Sequence, residues 1–452
     1  MTPDEPVGPT TYARRLGPFD ATMVVVGGIV GAGIFLNPAI VAERVGSGGL
    51  VMAAWALGGA IALLGALCFA ELGARRPEAG GGYVYLRETL GPLPAFLYGW
   101  TLLLVINSGG IAAVAVTFAR YAADLFGMGP TSVRPLAVGA IAVLTAVNVA
   151  GVRPGAWTQN AFTVLKLAAI AVLVVVGVVL AGGDGTVAPG PARVPAAGEG
   201  SGGSLLVLGP ALIPVLFAYG GWQHANHVAG EVRDPERTLP RALLAGVSIV
   251  VATYLLANLA YLRGLGVEGL ASSLAPASDT MRSVVGEGGA RFIAAGIVVS
   301  TFGILNLFIL AAPRVYQTMA ADGLFFRSVA RLHPRHRTPH RALLLQAGWA
   351  AALALTGTYG ELLDWTVFGD WIFFGAVAAT LFVYRRRDPP SPTGERAFRV
   401  PLHPLVPGLF VAAALVVVVS SVASNPLNAL YGTALIGAGV PVFFLWRSSA
   451  GR

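Results

Sequence analysis

The chain has 452 residues, 55% of them apolar and only 12% charged, against about 45–50% and 25% in soluble domains. That balance leaves too few charges to coat a water-soluble globule, and runs of 18 or more apolar residues recur along the whole length, long enough to cross a hydrocarbon layer about 30 Å thick. The net charge of +8 does not point to nucleic acid, because the basic residues are scattered through short loops between the apolar runs rather than gathered in a stripe.

Residues 1–19 are polar and Pro-rich, and the first apolar run is too long, and too lacking in a cleavage site, for a removable signal peptide. Taking Gly, Pro and charge clusters as breaks, the chain is expected to span the membrane near residues 20–45, 49–74, 93–124, 135–150, 158–181 and 206–230. Six more spans are expected near 241–265, 291–320, 342–358, 362–384, 405–424 and 427–446. This gives an all-α polytopic protein: an N-terminal segment 1–19, one membrane domain 20–446, and a tail 447–452. Loops on the side of the N-terminus carry 21 Arg and the opposite loops carry 6, so both termini are expected in the cytoplasm of a multi-pass cell-membrane protein. The one cysteine, Cys68, has no intrachain partner.

Two spans contain interruptions. The first carries Gly27, Gly28, Gly31 and Gly33 in GGIVGAGIFLNP, and the sixth carries Phe217 to Trp222 in FAYGGW. Glycine-broken helices at corresponding places in two halves point to inverted repeats, expected over about 20–182 and 206–384 with two extra helices at 405–446, and to a substrate site between them. Unwinding a helix in lipid bares N–H and C=O groups that cost several kcal/mol unless a ligand or cavity meets them. A zwitterionic amino acid supplies both partners: its carboxylate can accept from the helix N-terminus near Gly31 to Gly33, and its ammonium can donate to unpaired carbonyls. The competing reading of Gly27 and Gly31 is a GxxxG contact for close helix packing.

Lys166 is the only lysine and lies inside the fifth span. A charge there costs about 2.5–3.5 kcal/mol on insertion scales, so it needs a partner or must snorkel to the edge; a protonation role is the further alternative, since buried lysines shift pKa readily. Asp370 in the tenth span is an intramembrane carboxylate, a functional candidate by default. It could pair with His224 or His227, carry a proton, favour a cationic substrate, or be a paired structural group. Asp20 and Glu71 read as cap or interfacial residues. The segment 321–341, with five Arg and three His, reads as an amphipathic loop helix near anionic headgroups rather than a metal site.

With GAGIFLNP, GALCFAELG, PEAGGGYVYLRETLGPLPAFLYGW, TAVNVAG, QNAFTVLKL, FAYGGW, EVRDPERTLPRAL and RVYQTMAADG in order, the chain resembles the amino acid-polyamine-organocation superfamily, and within it the L-type amino acid transporters. The resemblance implies a five-plus-five inverted-repeat fold with discontinuous helices 1 and 6. It places the substrate carboxylate on the N–H groups of Gly31, Ala32 and Gly33 and the ammonium on carbonyls of Ile29, Phe217, Ala218 and Gly220. Phe217 matches the outer lid aromatic, with an ordinary packing Phe as the alternative, and Gly220 the small residue that leaves room for a side chain. Lys166 is similar to a lysine that stands in for a sodium ion, bonding carbonyls at the first break and linking that helix to the eighth. Ala32 departs from a common Ser, and Gln223, followed by His224 and His227, from a common Asn.

The implied activity is sodium-independent movement of neutral L-amino acids, with no cofactor, as exchange or facilitated flux. Proton-coupled uptake, or a cationic amino acid or polyamine as substrate, is the alternative. No HExxH or Gly-x-Ser-x-Gly motif supports a membrane enzyme, and GGGYVYL lacks the setting of a phosphate loop. A channel fits a single backbone-lined site poorly. Residues 125–134, where related transporters join a heavy subunit, contain no Cys, so no disulfide-linked partner is expected.

Overall fold

The computed structural model describes residues 12–180, 204–356, 359–387, 398–424 and 426–450. The expected outer loop of 182–204 and both chain ends lie largely outside the described residues. Helices run in the order α1 Pro18–Ile29, α2 Gly33–Val45, α3 Gly48–Arg75, α4 Gly82–Leu90, α5 Pro92–Thr101, α6 Asn107–Leu125, α7 Val133–Val149 and α8 Val152–Val175. They continue as α9 Ser204–Tyr219, α10 His224–His227, α11 Pro235–Ser272, α12 Pro276–Ala311, α13 Pro313–Ala321, α14 His340–Thr356, α15 Tyr359–Arg387, α16 Leu405–Ser424 and α17 Pro426–Ala450.

Ten of the resulting segments are long and apolar enough to cross a membrane. The expected sixth and ninth spans, α9 of 16 residues and α14 of 17, fall just short of the 18-residue length; with them the described residues hold the twelve apolar helices that the sequence implies. Helices are the only open-ended solution in lipid, since each satisfies its own backbone.

The first span is two half-helices. α1 ends at Ile29 and α2 begins at Gly33, and the sixth breaks the same way between Tyr219 and His224. A Cβ on Gly221 (φ +124°) would lie 2.2 Å from Gly28 O, and one on Gly28 would lie 2.7 Å from Gly221 O. The two breaks therefore touch backbone to backbone, an approach open only to glycine.

Close packing, the other reading of the first-span glycines, is also present. A Cβ on Gly27 would lie 2.0 Å from Gln159 Nε2 of α8, and one on Gly31 would lie 2.7 Å from Ile304 Cδ1 of α12.

Glu71, near the C-terminal end of α3, is fully buried and accepts from Arg75 Nε at 2.8 Å, Arg385 Nε at 3.0 Å and the Val400 N–H at 2.7 Å. It thus ties α3 to α15 and the segment before α16, because a buried carboxylate needs donors on every open side. Two expectations need correction. The segment 321–341 forms no amphipathic helix. Its one helical piece past α13 is a single 3₁₀ turn at Arg327–Ala330, and the His333 ring accepts the N–H groups of Arg335 and His336 in a turn. Finally, the seventh and eighth helices extend past their expected ends, α11 to Ser272 and α12 back to Pro276, by kinking at Gly266 (φ 70°) and Gly286 (φ 74°). Asp20 does cap α1, accepting the Gly17 N–H at 2.8 Å, and also takes Asn160 Nδ2 of α8 at 2.6 Å.

Candidate functional site

A cavity with about 960 Å³ of empty space, its open mouth included, lies where the two breaks meet. Its wall includes Ile29, Gly31, Ala32, Gly33, Phe217, Ala218, Gly220, Gln223, His224 and Asp370. Nine of these are the substrate-contact and gate residues singled out from the sequence, or their neighbour His224, and the tenth is the tenth-span carboxylate. Lys166 and His227 lie outside the wall.

The backbone at the breaks can be accounted for group by group. Val26 O accepts the Val30 N–H at 2.9 Å and closes the last turn of α1. Gly27 O and Val30 O both accept from Lys166 Nζ, at 2.7 and 2.5 Å. The Tyr254 hydroxyl lies 3.0 Å from Ile29 O and 3.2 Å from Ala218 O, which share its one proton, and Phe217 O accepts the Gly220 N–H at 3.2 Å. Each carbonyl keeps a second lone pair. On the other side of the break, the first N–H groups of α2 have no acceptor in their own helix, and they carry the positive end of its dipole. The site therefore offers donors at α2 and partly used acceptors at α1 and α9.

Lys166 is fully buried. The helical run from Val152 to Leu180 puts it at the centre, with fourteen residues on either side, deeper than a span beginning at residue 158 would. No hydrogen bond joins it to α12 among the described residues. Asn306 makes the tie from α12 instead, donating to Gly155 O and Gln159 Oε1 at 3.2 Å each and accepting from Asn148 at 2.8 Å.

The two histidines part company. His224 lines the cavity, its ring 5.1 Å from that of Phe308. His227 is buried behind it, with Nε2 2.8 Å from the Tyr98 hydroxyl. Neither pairs with Asp370 among the described residues. Phe217 is half-buried in the wall between break and cavity.

Several wall residues carry no motif in the sequence. Asn107 follows a π-helical turn at Leu102–Ile106, a distortion often found at functional sites, and donates to Phe308 O at 3.0 Å and Gln346 Oε1 at 3.1 Å. Ile304, Phe308, Trp371 and Phe374 complete the apolar wall. Tyr254, in the middle of an apolar run, spans both breaks; nothing in its own segment announces it.

An amino acid permease family model matches residues 16–443. The chain is 32% identical to the serine/threonine exchanger SteT of Bacillus subtilis (strain 168) over 434 residues, 95% of this chain and 96% of that one. It is 31% identical to the b(0,+)-type amino acid transporter 1 of Mus musculus, covering 97% of this chain and 88% of the relative, and 32% identical to the Asc-type amino acid transporter 1 of the same organism, covering 96% and 82%. With that match running almost end to end over twelve apolar helices, two of them broken around a shared cavity, the chain belongs to the amino acid permease family and is a multi-pass membrane transporter of amino acids, not an enzyme.

Proposed function

We propose that the protein moves neutral L-amino acids by alternating access, as exchange or facilitated flux and without sodium, the zwitterionic head held by the backbone of the two breaks. The observation that carries this reading is Lys166: its ammonium fills the first-break carbonyls of Gly27 and Val30 with a covalently attached charge. A fixed cation there leaves no need for a mobile one. In this reading the carboxylate of the substrate lies on the N–H groups of Gly31, Ala32 and Gly33. The ammonium uses the remaining lone pairs of Ile29, Phe217, Ala218 and Gly220, and Phe217 lids the site. Exchange of small neutral substrates is in keeping with the relative named a serine/threonine exchanger. The excess of Arg on the N-terminal side supports a cell-membrane protein with both termini in the cytoplasm. Residues 125–134 offer no Cys for a linked heavy subunit, and Cys68 is buried.

Proton coupling is the second reading, favoured by His224 and Asp370 sharing one cavity wall. Purified protein in vesicles, given a panel of labelled L-amino acids with and without a sodium gradient, a pH gradient and an internal amino acid, separates the two. Uptake raised by internal amino acid and indifferent to both gradients supports exchange. Uptake that follows the pH gradient supports the second reading, and dependence on sodium overturns the first.

A further inference from the structure

The deep carboxylates of this bundle are met by arginine. Glu71 takes Arg75 and Arg385, and the buried Glu231 takes Arg314 Nη2 at 2.9 Å. Asp370 differs: it lies on the cavity wall, and among the described residues its carboxylate accepts no hydrogen bond and forms no ion pair. Its backbone is fixed on both sides. A Cβ on Gly369 would lie 3.1 Å from Ile106, so α15 sits hard against the π-helical turn, and the next residue, Trp371, is buried against Phe374 and Phe410 with ring centroids 5.7 and 6.0 Å away.

None of the other polar side chains of the wall bonds to Asp370 among the described residues. Asn107 spends its amide N–H groups on Phe308 O and Gln346, Thr117 donates to Ala113 O at 3.0 Å, and Gln223 Oε1 accepts the Gly221 N–H at 3.0 Å. His224 shares the cavity without a bond to Asp370, and Lys166 is turned to the break carbonyls. The apolar part of the cavity wall includes Leu102, Ile106, Ile304, Phe308 and Phe374. An ionised carboxylate in such surroundings only accepts, and it is costly until a donor meets it. In the proposed function the two charges of a substrate head are answered by the backbone of the breaks, which leaves Asp370 to meet a donor on the substrate side chain.

We propose that Asp370 selects amino acids whose side chain ends in a hydrogen-bond donor, a hydroxyl, amide or ammonium group, over isosteres that lack it. This rests on the cavity being the amino-acid site and narrows its substrate class. A hydrogen bond to a charged acceptor is worth roughly one to two orders of magnitude in affinity, and a site built around such a bond rejects the analogue without the donor.

The test uses pairs matched in shape: threonine against valine, homoserine against norvaline, and lysine against norleucine, each competing for binding to the full-length protein in vesicles. The expected result is a preference of about tenfold or more for the donor in at least one pair, falling to threefold or less in Asp370→Leu, with Asp370→Asn between the two. Equal binding within all three pairs by the unaltered protein overturns the proposal. So does an unchanged preference in whichever variant retains its thermal stability. If no amino acid binds at all, the transporter reading beneath the proposal fails instead, a distinguishable result.

Discussion

The ammonium of Lys166 donates to the carbonyl of Val30 at 2.5 Å, at the residue where the first half-helix stops. One side chain from the fifth span therefore supplies the donor that the next turn of helix would have supplied, and does so again for Gly27. Replacing Lys166 by Met strands two buried carbonyls, each costing about 1–3 kcal/mol. We expect thermal stability to fall and initial uptake to drop at least tenfold. Arginine should not rescue either, since a planar guanidinium cannot take the place of a compact ammonium. Wild-type uptake by the Met variant would contradict the role given to this lysine.

The Gly28–Gly221 contact leaves no space for a methyl group. Gly221→Ala adds a Cβ 2.2 Å from Gly28 O at a φ of +124°, so strain and overlap together should cost about 2–4 kcal/mol. Thermal unfolding in detergent reads this directly. Gly209→Ala, inside α9 where an added Cβ meets nothing within 4 Å, is the control and should hold or slightly raise the midpoint.

Tyr254 reaches across both breaks. Tyr254→Phe keeps the ring packed edge-on against Trp55 at 5.6 Å but removes the hydroxyl shared by Ile29 O and Ala218 O. A loss of about 1–2 kcal/mol in stability is expected. The two half-sites would no longer be tied, so substrate affinity should weaken as well. Unchanged affinity in competition assays would show that the bridge is only structural.

How far the site could be read from the sequence depended on how local its causes were. The glycine runs of the first and sixth spans stand at corresponding places in the two halves, so the interruptions at Gly31 and Gly221 were legible, as was Asp20 as a cap. Lys166 was conspicuous because a lone lysine in an apolar run must find a partner. The structural tie made by Glu71 was not legible, because Arg385 and Val400 lie more than 300 residues away. Tyr254 and Asn107 were invisible for the same reason: their work is done on the backbones of other helices. The kinks at Gly266 and Gly286 were missed because a single glycine signals an end as readily as a bend.

The buried Glu231–Arg314 pair holds α13 to the segment before α11, and Arg314 also donates to Leu310 O in α12. Glu231→Gln leaves an arginine uncompensated and should cost about 3–5 kcal/mol, whereas replacing both partners by leucine should recover much of that loss. A double-mutant cycle by thermal unfolding checks the coupling, and additive losses would argue against it.

The central claim is that the bared main chain of two broken helices reads both charges of an amino acid. Competition by a transported amino acid, its amide and its N-acetyl derivative tests this most directly, because the side chain is constant while one head charge is removed at a time. Loss of binding by about tenfold or more for each derivative is predicted. A derivative lacking either charge that competes as well as the parent would contradict it.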